Sequence, residues 1–435
     1  MTHRFAIIGA GAAGSFTARR LRQHFPDAEI VVFEREQQVG GRAATVSFCG
    51  EQVEVGGTLL HSSNRRIVEL AAELGLEYSP PGVALGDMDA SVTVWDGQRF
   101  VFRASTKGMA FLFSLVRRYG LFNLRRLRAA AGETIAKWNS IYDKQDAGVV
   151  FESVGDVVEA LELGVETKVS LREFARSRKI SERVVDEIGA GILRNMYNQT
   201  PDISSLAGMV GLAGAGFAGG SLFSIERGNA AVFAGALERA DAEVRLGETV
   251  VGVSNTLELT TETGATEAFD AVVLAAPVEL AGVALPATPT TTDEGYQRVH
   301  VTLVAGLVNG SYFGVPEAPG TIFTTPSAPF KSFGRVGFSE SEQLPIYKFF
   351  SETELGDGFL SQVFGSILDV HRLSWLAYPK MAVNPSLHSF NLAPGVYTTN
   401  VQEAICSTLE TEAVAGWSVA DLVARDFGGR AAAAS

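Results

Sequence analysis

The sequence predicts an α/β fold: a Rossmann-type dinucleotide-binding domain assembled from separated segments, with a mixed α+β substrate domain inserted between them. Three observations predict it. The stretch FAIIGAGAAGSFTARRL at 5–21 reads as strand, tight turn and helix. EIVVFE follows as a second strand ending in an acid. Blocks of the same character return far along the chain, in ERGNAAVFAGALERADAEVRLGETVVGV, FDAVVLAAP and GVYTTN.

The first turn carries G-x-G-x-x-G, and each glycine has a physical task. Gly9 allows the turn, Gly11 lets a pyrophosphate approach the backbone, and Gly14 lets helix pack on strand. Ala12 and Ala13 stand at the helix N-terminus, whose free N–H groups and positive dipole end attract an anion. Glu34 lies about twenty residues past the last glycine, where a carboxylate binds ribose hydroxyls, and Arg35 follows it. QQVGGRAATV then places Gly40, Gly41 and Arg42 near the same pyrophosphate. A glycine pair lets the backbone pass close to a large flat ring, and Arg42 offers charge to phosphates or flavin carbonyls. VEVGGTLLH adds Gly57 and a titratable His61. An NAD site needs neither addition, so the expected cofactor is FAD. GETVVGV reads as a strand touching adenine through Val250, and FDAVVLAAP as the returning strand.

These signals place a discontinuous FAD-binding domain at 1–75, 223–281 and 376–425, a substrate domain at 76–222 and 282–375, and a disordered tail at 426–435. GAGFAGG matches the glycine fingerprint again at Gly214, Gly216 and Gly219, but SSLAGMVGLA before it lacks strand character and no helix follows. It is read as a close backbone approach. With no second dinucleotide fold, the flavin is expected to be reduced by the substrate itself.

STKGMAFLFSLVRRYGLFNLRRLRAAAGETIAKWNSIYD reads as helical, interrupted at Gly120, with Phe111, Leu112, Leu115, Tyr119 and Phe122 on one face beside five arginines. Two readings stand for 109–128: a helix packed on its own domain with solvated arginines, or a peripheral contact with an anionic membrane.

A formal charge of -13 excludes a nucleic-acid surface, which needs clustered cations. The two cysteines, Cys49 and Cys406, have neither disulfide nor zinc spacing, so no metal is expected and both are read as inert buried thiols. The first strand begins within five residues of Met1 and no apolar run reaches membrane-spanning length. A cytoplasmic location is therefore expected, with the sequons at Asn198 and Asn309 incidental.

Taken together, IIGAGAAGS, VGGRAAT, Gly57 with His61, LRNMYNQTPDISSLAGMVGLAGA, SLFSIERGN, VVLAAP, WLAYP and VYTTNVQEAI resemble the prenylcysteine oxidase (prenylcysteine lyase) family. The resemblance implies the FAD-binding fold of the glutathione reductase and amine oxidase type. It implies oxidation of the allylic carbon next to sulfur in a prenylcysteine by FAD and O2, giving prenyl aldehyde, cysteine and hydrogen peroxide. Such a reaction needs a long apolar tunnel, for which Phe111, Phe113, Phe122, Phe217 and Phe223 are expected wall residues or core. Where many flavin amine oxidases have a Gly-acid pair, this chain has Asn400, expected at the pyrophosphate or flavin. His61 is the expected residue near the reaction centre, as a proton acceptor or as a structural histidine. Oxidation or oxidative cyclisation of another isoprenoid, and a non-catalytic prenyl carrier, stand as alternatives.

Overall fold

The computed structural model describes residues 2–79, 91–105, 108–287 and 295–428. The chain opens with β1 (Arg4–Ile8), α1 (Ala12–His24) and β2 (Glu29–Glu34). β1 and β2 pair in parallel at the centre of a six-stranded sheet, in the order Glu243–Leu246, β2, β1, Ala271–Leu274, Val396–Thr398, Asn391–Ala393. The first five strands are parallel and the last is antiparallel. Helices cover one face, and strands Val250–Val253 and Glu258–Thr261 of a separate small sheet cover the other, which explains why the sequence runs FAII and IVVF without alternation.

The C-terminal helix Leu409–Phe427 seals this domain. It is capped by Thr408, whose side chain accepts from Thr411 N–H, and ends at Gly428 with φ of +69°. It lies directly along α1: Thr17 Oγ1 bonds the Gly416 carbonyl at 3.2 Å, and a Cβ at Gly416 would overlap the Ala13 carbonyl. Its other sides pack on Ile141, Tyr142, Ile67 and Leu70, and Gln145 donates to the Val414 carbonyl, so Ala413–Ala424 is buried all round.

The second layer is a seven-stranded sheet in the order Phe364–Pro379, Tyr296–Val308, Leu344–Ser351, Ser332–Ser339, Thr321–Thr324, Ser91–Trp95, Phe100–Ser105. Helices between 108 and 214 pack on it. The pairing differs from the expected boundaries in three places. The strand from Phe364 continues to Pro379, past the break expected after 375. Trp138, Ile141 and Phe151–Leu163 share a core with Phe5, Ile7 and Val419, so part of the first inserted segment belongs to the Rossmann layer. At the C-terminus, Asp426 and Phe427 finish the helix, with Tyr397 OH donating to Asp426 at 2.8 Å; the expected tail beyond Gly428 lies outside the described residues.

SSLAGMVGLAG forms the helix Ser205–Gly214, in which a Cβ at Gly208 would press on Leu171 and one at Gly211 on Leu193. Of the second glycine fingerprint only Gly214 is closely approached, a Cβ there standing 3.3 Å from Met196. Gly216 and Gly219 have open space around them and serve instead as turn residues, with φ of +89° and +85°, so the expected close backbone approach is not made at those two. Asn198 is buried, and its amide donates to the Arg298 and Ser351 carbonyls, both at 3.2 Å.

Candidate active site

The glycine turns build a cradle with bare backbone on its surface. Gly9, at φ of +110°, donates to the Phe33 carbonyl at 2.8 Å and crosses so near Ala275 that a Cβ would stand 2.9 Å from its carbonyl oxygen. Gly11 is the N-cap of α1, with no side-chain cap and no acid in the first turn, so its N–H groups await an external anion. Gly40 donates to the Ala10 carbonyl at 3.1 Å, and a Cβ on Gly41 would sit 3.2 Å from Gly11 Cα. The two loops therefore meet backbone to backbone. Side chains at 11 or 41 would fill the cradle, which fits a dinucleotide.

Glu34 is buried beneath it. Its Oε2 accepts from Ala10 N–H at 2.8 Å and its Oε1 from Glu36 N–H at 3.0 Å, so the carboxylate also holds the turn in shape. Arg35 points to solvent with 59% of its side chain exposed, beside Glu36 at 3.5 Å. Val250 is buried in a separate three-stranded antiparallel sheet, opposite Thr261, close after Glu248, whose N–H bonds the Glu34 carbonyl at 3.0 Å.

Arg42 has partners in the protein itself. Its guanidinium donates to both oxygens of Glu403, to the Ala377 carbonyl at 2.9 Å and to Ser407 Oγ at 3.5 Å, and Glu412 lies 3.8 Å away. Burial pulls the guanidinium pKa down, but the carboxylates of Glu403 and Glu412 outweigh it and hold the group above its ordinary value. Asn400 is buried and donates to Glu403 Oε1 at 2.6 Å. Arg42 and Asn400, expected at a ligand, converge on one carboxylate. Among the described residues neither oxygen of Glu412 has a hydrogen-bond partner. Burial, then the charge of Glu403, raise its pKa well above its ordinary value. Sequence reasoning missed both acids, because nothing local in NVQEAI or TLETEA marks a partner for Arg42.

His61 is tied at both ring nitrogens. Ser63 N–H donates to Nδ1 at 3.1 Å, and Nε2–H then donates to the Gly219 carbonyl at 2.7 Å. A Cβ at Gly220 would collide with the ring. This arrangement supports the structural alternative: a clamp between Leu60–His61 and the glycine turn, with no lone pair or proton left over for a substrate.

Two further polar residues join the layers. Asn229 donates to the carbonyls of Gly57 at 2.8 Å and Thr58 at 3.0 Å, while its own N–H reaches Glu54 Oε1 at 3.0 Å. Lys348, from the seven-stranded sheet, donates to the Glu54 carbonyl at 2.9 Å and Thr58 Oγ1 at 3.3 Å, and burial pushes its pKa down to about 8. The expected tunnel wall is partly overturned: Phe113 and Phe122 are 68% and 70% exposed, because their helix face turns outward. Phe111, Phe217 and Phe223 stay half-buried against the cores. Cys406 is buried, its thiol pushed up to about 12 by burial, while Cys49 is only half-buried.

The family description "Prenylcysteine lyase" matches residues 102–434, and an NAD(P)-binding Rossmann-like domain matches 7–74. The chain belongs to the prenylcysteine lyase family. Farnesylcysteine lyase of Arabidopsis thaliana is 30% identical, over 97% of this chain and 88% of its own length. "Prenylcysteine oxidase 1-like" of Bos taurus is 29% identical, over 96% and 89%. Among solved structures, a redesigned triple mutant of putrescine oxidase superposes with a TM-score of 0.68 at 16% identity, covering 98% of this chain and all of that one. Cyclohexylamine oxidase from Brevibacterium oxydans superposes at 0.64 and 16%, with the same coverage. These two show the shared fold. The prenylcysteine lyase match takes in most of the second sheet, Asn229 and the Glu403–Glu412 cluster, and lies outside the glycine turns at 9–14 and 40–41.

Proposed function

We propose that this chain is an FAD-dependent oxidase of prenylcysteine thioethers, releasing prenyl aldehyde, cysteine and hydrogen peroxide. The observation that carries the reading is the open glycine cradle at the α1 N-terminus, within a chain that matches the prenylcysteine lyase family over most of its length. When bound, FAD accepts a hydride and passes its electrons to O2. Gly11, Gly40 and Gly41 would hold the pyrophosphate by backbone approach, with Glu34 at the ribose.

The chain's own residues then have limited but specific work. Removal of hydride from the carbon between sulfur and alkene leaves a cation that both neighbours stabilise, so no strong base is required. Water adds to that carbon and loses a proton; the resulting hemithioacetal breaks its C–S bond to give aldehyde and thiol. Asn229 and Lys348 hold the Gly57–Thr58 loop in register between the layers, which fixes the distance from cofactor domain to substrate sheet. Arg42 with Glu403 locks the end of the strand at Ala377 to the cradle.

The prenyl tail of such a substrate partitions into lipid, and 109–128 is proposed as this chain's peripheral membrane contact. The test of the reaction is anaerobic mixing with farnesylcysteine while following the flavin band near roughly 450 nm. Bleaching, then recovery with peroxide on admitting air, is expected. A band that stays oxidised would transfer the reading to another isoprenoid, and a colourless protein that binds prenyl ligands to a carrier.

A further inference from the structure

The helices Gly108–Tyr119 and Leu121–Asp146 meet at an elbow, Gly120, whose φ of +82° breaks the helical path. Around it stands an exposed apolar patch: Met109 at 84%, Leu112 at 53%, Phe113 at 68%, Leu121 at 46% and Phe122 at 70% exposed. Positions 109, 112 and 113 fall on one helix face, and 121 and 122 begin the next helix just past the elbow. Phenylalanines this exposed cost solubility unless something covers them.

Charge says what covers them. Between Asp96 and Glu133 the sequence holds eight Lys and Arg and not one acid, in a chain of net charge -13. Arg118 is committed to Glu187 at 2.6 Å, and Arg126 to the Lys179 carbonyl at 2.8 Å, so these two pin the elbow to its own domain. Arg117, Arg125 and Arg128 are exposed and, among the described residues, make no ion pair. An apolar tip ringed by free arginines matches a bilayer whose headgroups are anionic, where each added cation is worth about fivefold in partitioning. No described helix is long and apolar enough to cross a membrane, so the contact is with one leaflet.

The inner side of the elbow packs on a core that ends beside Arg42. Phe111 and Leu115, on the inner side of the first helix, pack into the apolar cluster that also holds Tyr197, Phe323 and Tyr378. Tyr378 follows Ala377, whose carbonyl receives Arg42. We propose that the elbow seats in an anionic lipid leaflet and that an isoprenoid substrate passes from the lipid along this cluster to the cofactor site. The second half rests on the proposed reaction; the first refines the membrane contact proposed for 109–128 and stands without that reaction.

The experiment floats purified protein with phosphatidylcholine vesicles and with vesicles that are half phosphatidylglycerol. The wild type should float with the anionic vesicles, weakly with the neutral ones, and be released by salt. Phe113→Glu/Phe122→Glu, and separately Arg117→Gln/Arg125→Gln/Arg128→Gln, should each cut the bound fraction at least tenfold without changing the melting temperature. With farnesylcysteine supplied inside vesicles the variants should lose turnover, and with soluble substrate they should keep it. Wild-type protein that stays unbound, variants that float equally, or a wild-type dimer that the phenylalanine variant abolishes would overturn the proposal, the last in favour of a second copy. Flotation without soluble turnover would sink the function and leave the docking; turnover without flotation would do the reverse.

Discussion

Arg42 and Glu403, 361 positions apart in the chain, meet in a two-pronged contact in which both guanidinium Nη atoms donate to the carboxylate. The pair joins the second glycine loop to the short helix Asn400–Ala404. Glu403 is wholly buried, so neutralising it takes away the carboxylate that both Nη atoms of Arg42 reach. Glu403→Gln should lower stability by about 3 kcal/mol and yield protein short of FAD. Thermal melts and the ratio of flavin to protein absorbance check it. Because the two residues act as one unit, Arg42→Gln/Glu403→Gln should cost less than the two single changes added together.

Gly11 and Gly14 separate ligand binding from folding. Around Gly11 a Cβ would meet nothing nearer than Gly41 Cα at 3.7 Å, whereas at Gly14 it would overlap the Gly9 carbonyl. Gly11→Ala should fold with a nearly unchanged melting temperature and lose at least tenfold in FAD affinity, because the methyl group occupies the cradle. Gly14→Ala should fail to fold or melt far lower. Titration of apoprotein with FAD, next to thermal melts, reads both; full FAD affinity in Gly11→Ala would remove the cradle from the cofactor site.

Lys348 gives stability a signature in alkaline solution. Burial moves its pKa from 10.5 down to about 8, so between those values the unfolded chain holds a proton that the folded chain has released. Stability then rises with pH across this window, and below about 8 the whole cost of burying the charge is present. Relative to Lys348→Met, which has no such titration, the wild type should gain about 3 kcal/mol from pH 8 to 10.5. Urea unfolding of both proteins at pH 7, 8, 9 and 10 measures it. A constant difference would mean that the ammonium is retained.

His61→Ala should lose about 1–3 kcal/mol of stability, since it leaves the Gly219 carbonyl without its donor. Turnover of farnesylcysteine should fall less than tenfold, with the pH profile of kcat/KM unchanged in shape. Loss of an inflection near the usual imidazole range would restore His61 as a proton acceptor in the reaction.

Much of the cofactor domain was legible because its signals are local. Gly9, Gly40 and Gly41 adopt positive φ, and the first four apolar residues of β1 are buried on both faces; residue type alone expresses such preferences. The resemblance carried the family because LRNMY and ERGN supply parts that no glycine fingerprint contains, and Asn229 of ERGN is the clamp on Gly57. The role of Arg42 was not legible, since the acid that takes its charge enters from the far end of the chain.

By itself, the sequence determined the α/β class, the glycine turns, the unblocked N-terminus of α1 and the helix break at Gly120. Each follows from backbone freedom or from the period at which apolar residues recur. The single apolar face it assigned to 111–122 is split, with Phe111, Leu115 and Tyr119 inward and Leu112 and Phe122 outward. The tertiary structure alone decided that Glu403 faces Arg42, that His61 spends both nitrogens on Ser63 and Gly219, that Lys348 is buried, and that Phe113 and Phe122 turn outward. Periodicity says that a face is apolar, not what covers it. A charge's partner, likewise, is set by which distant strand or helix the topology brings against it.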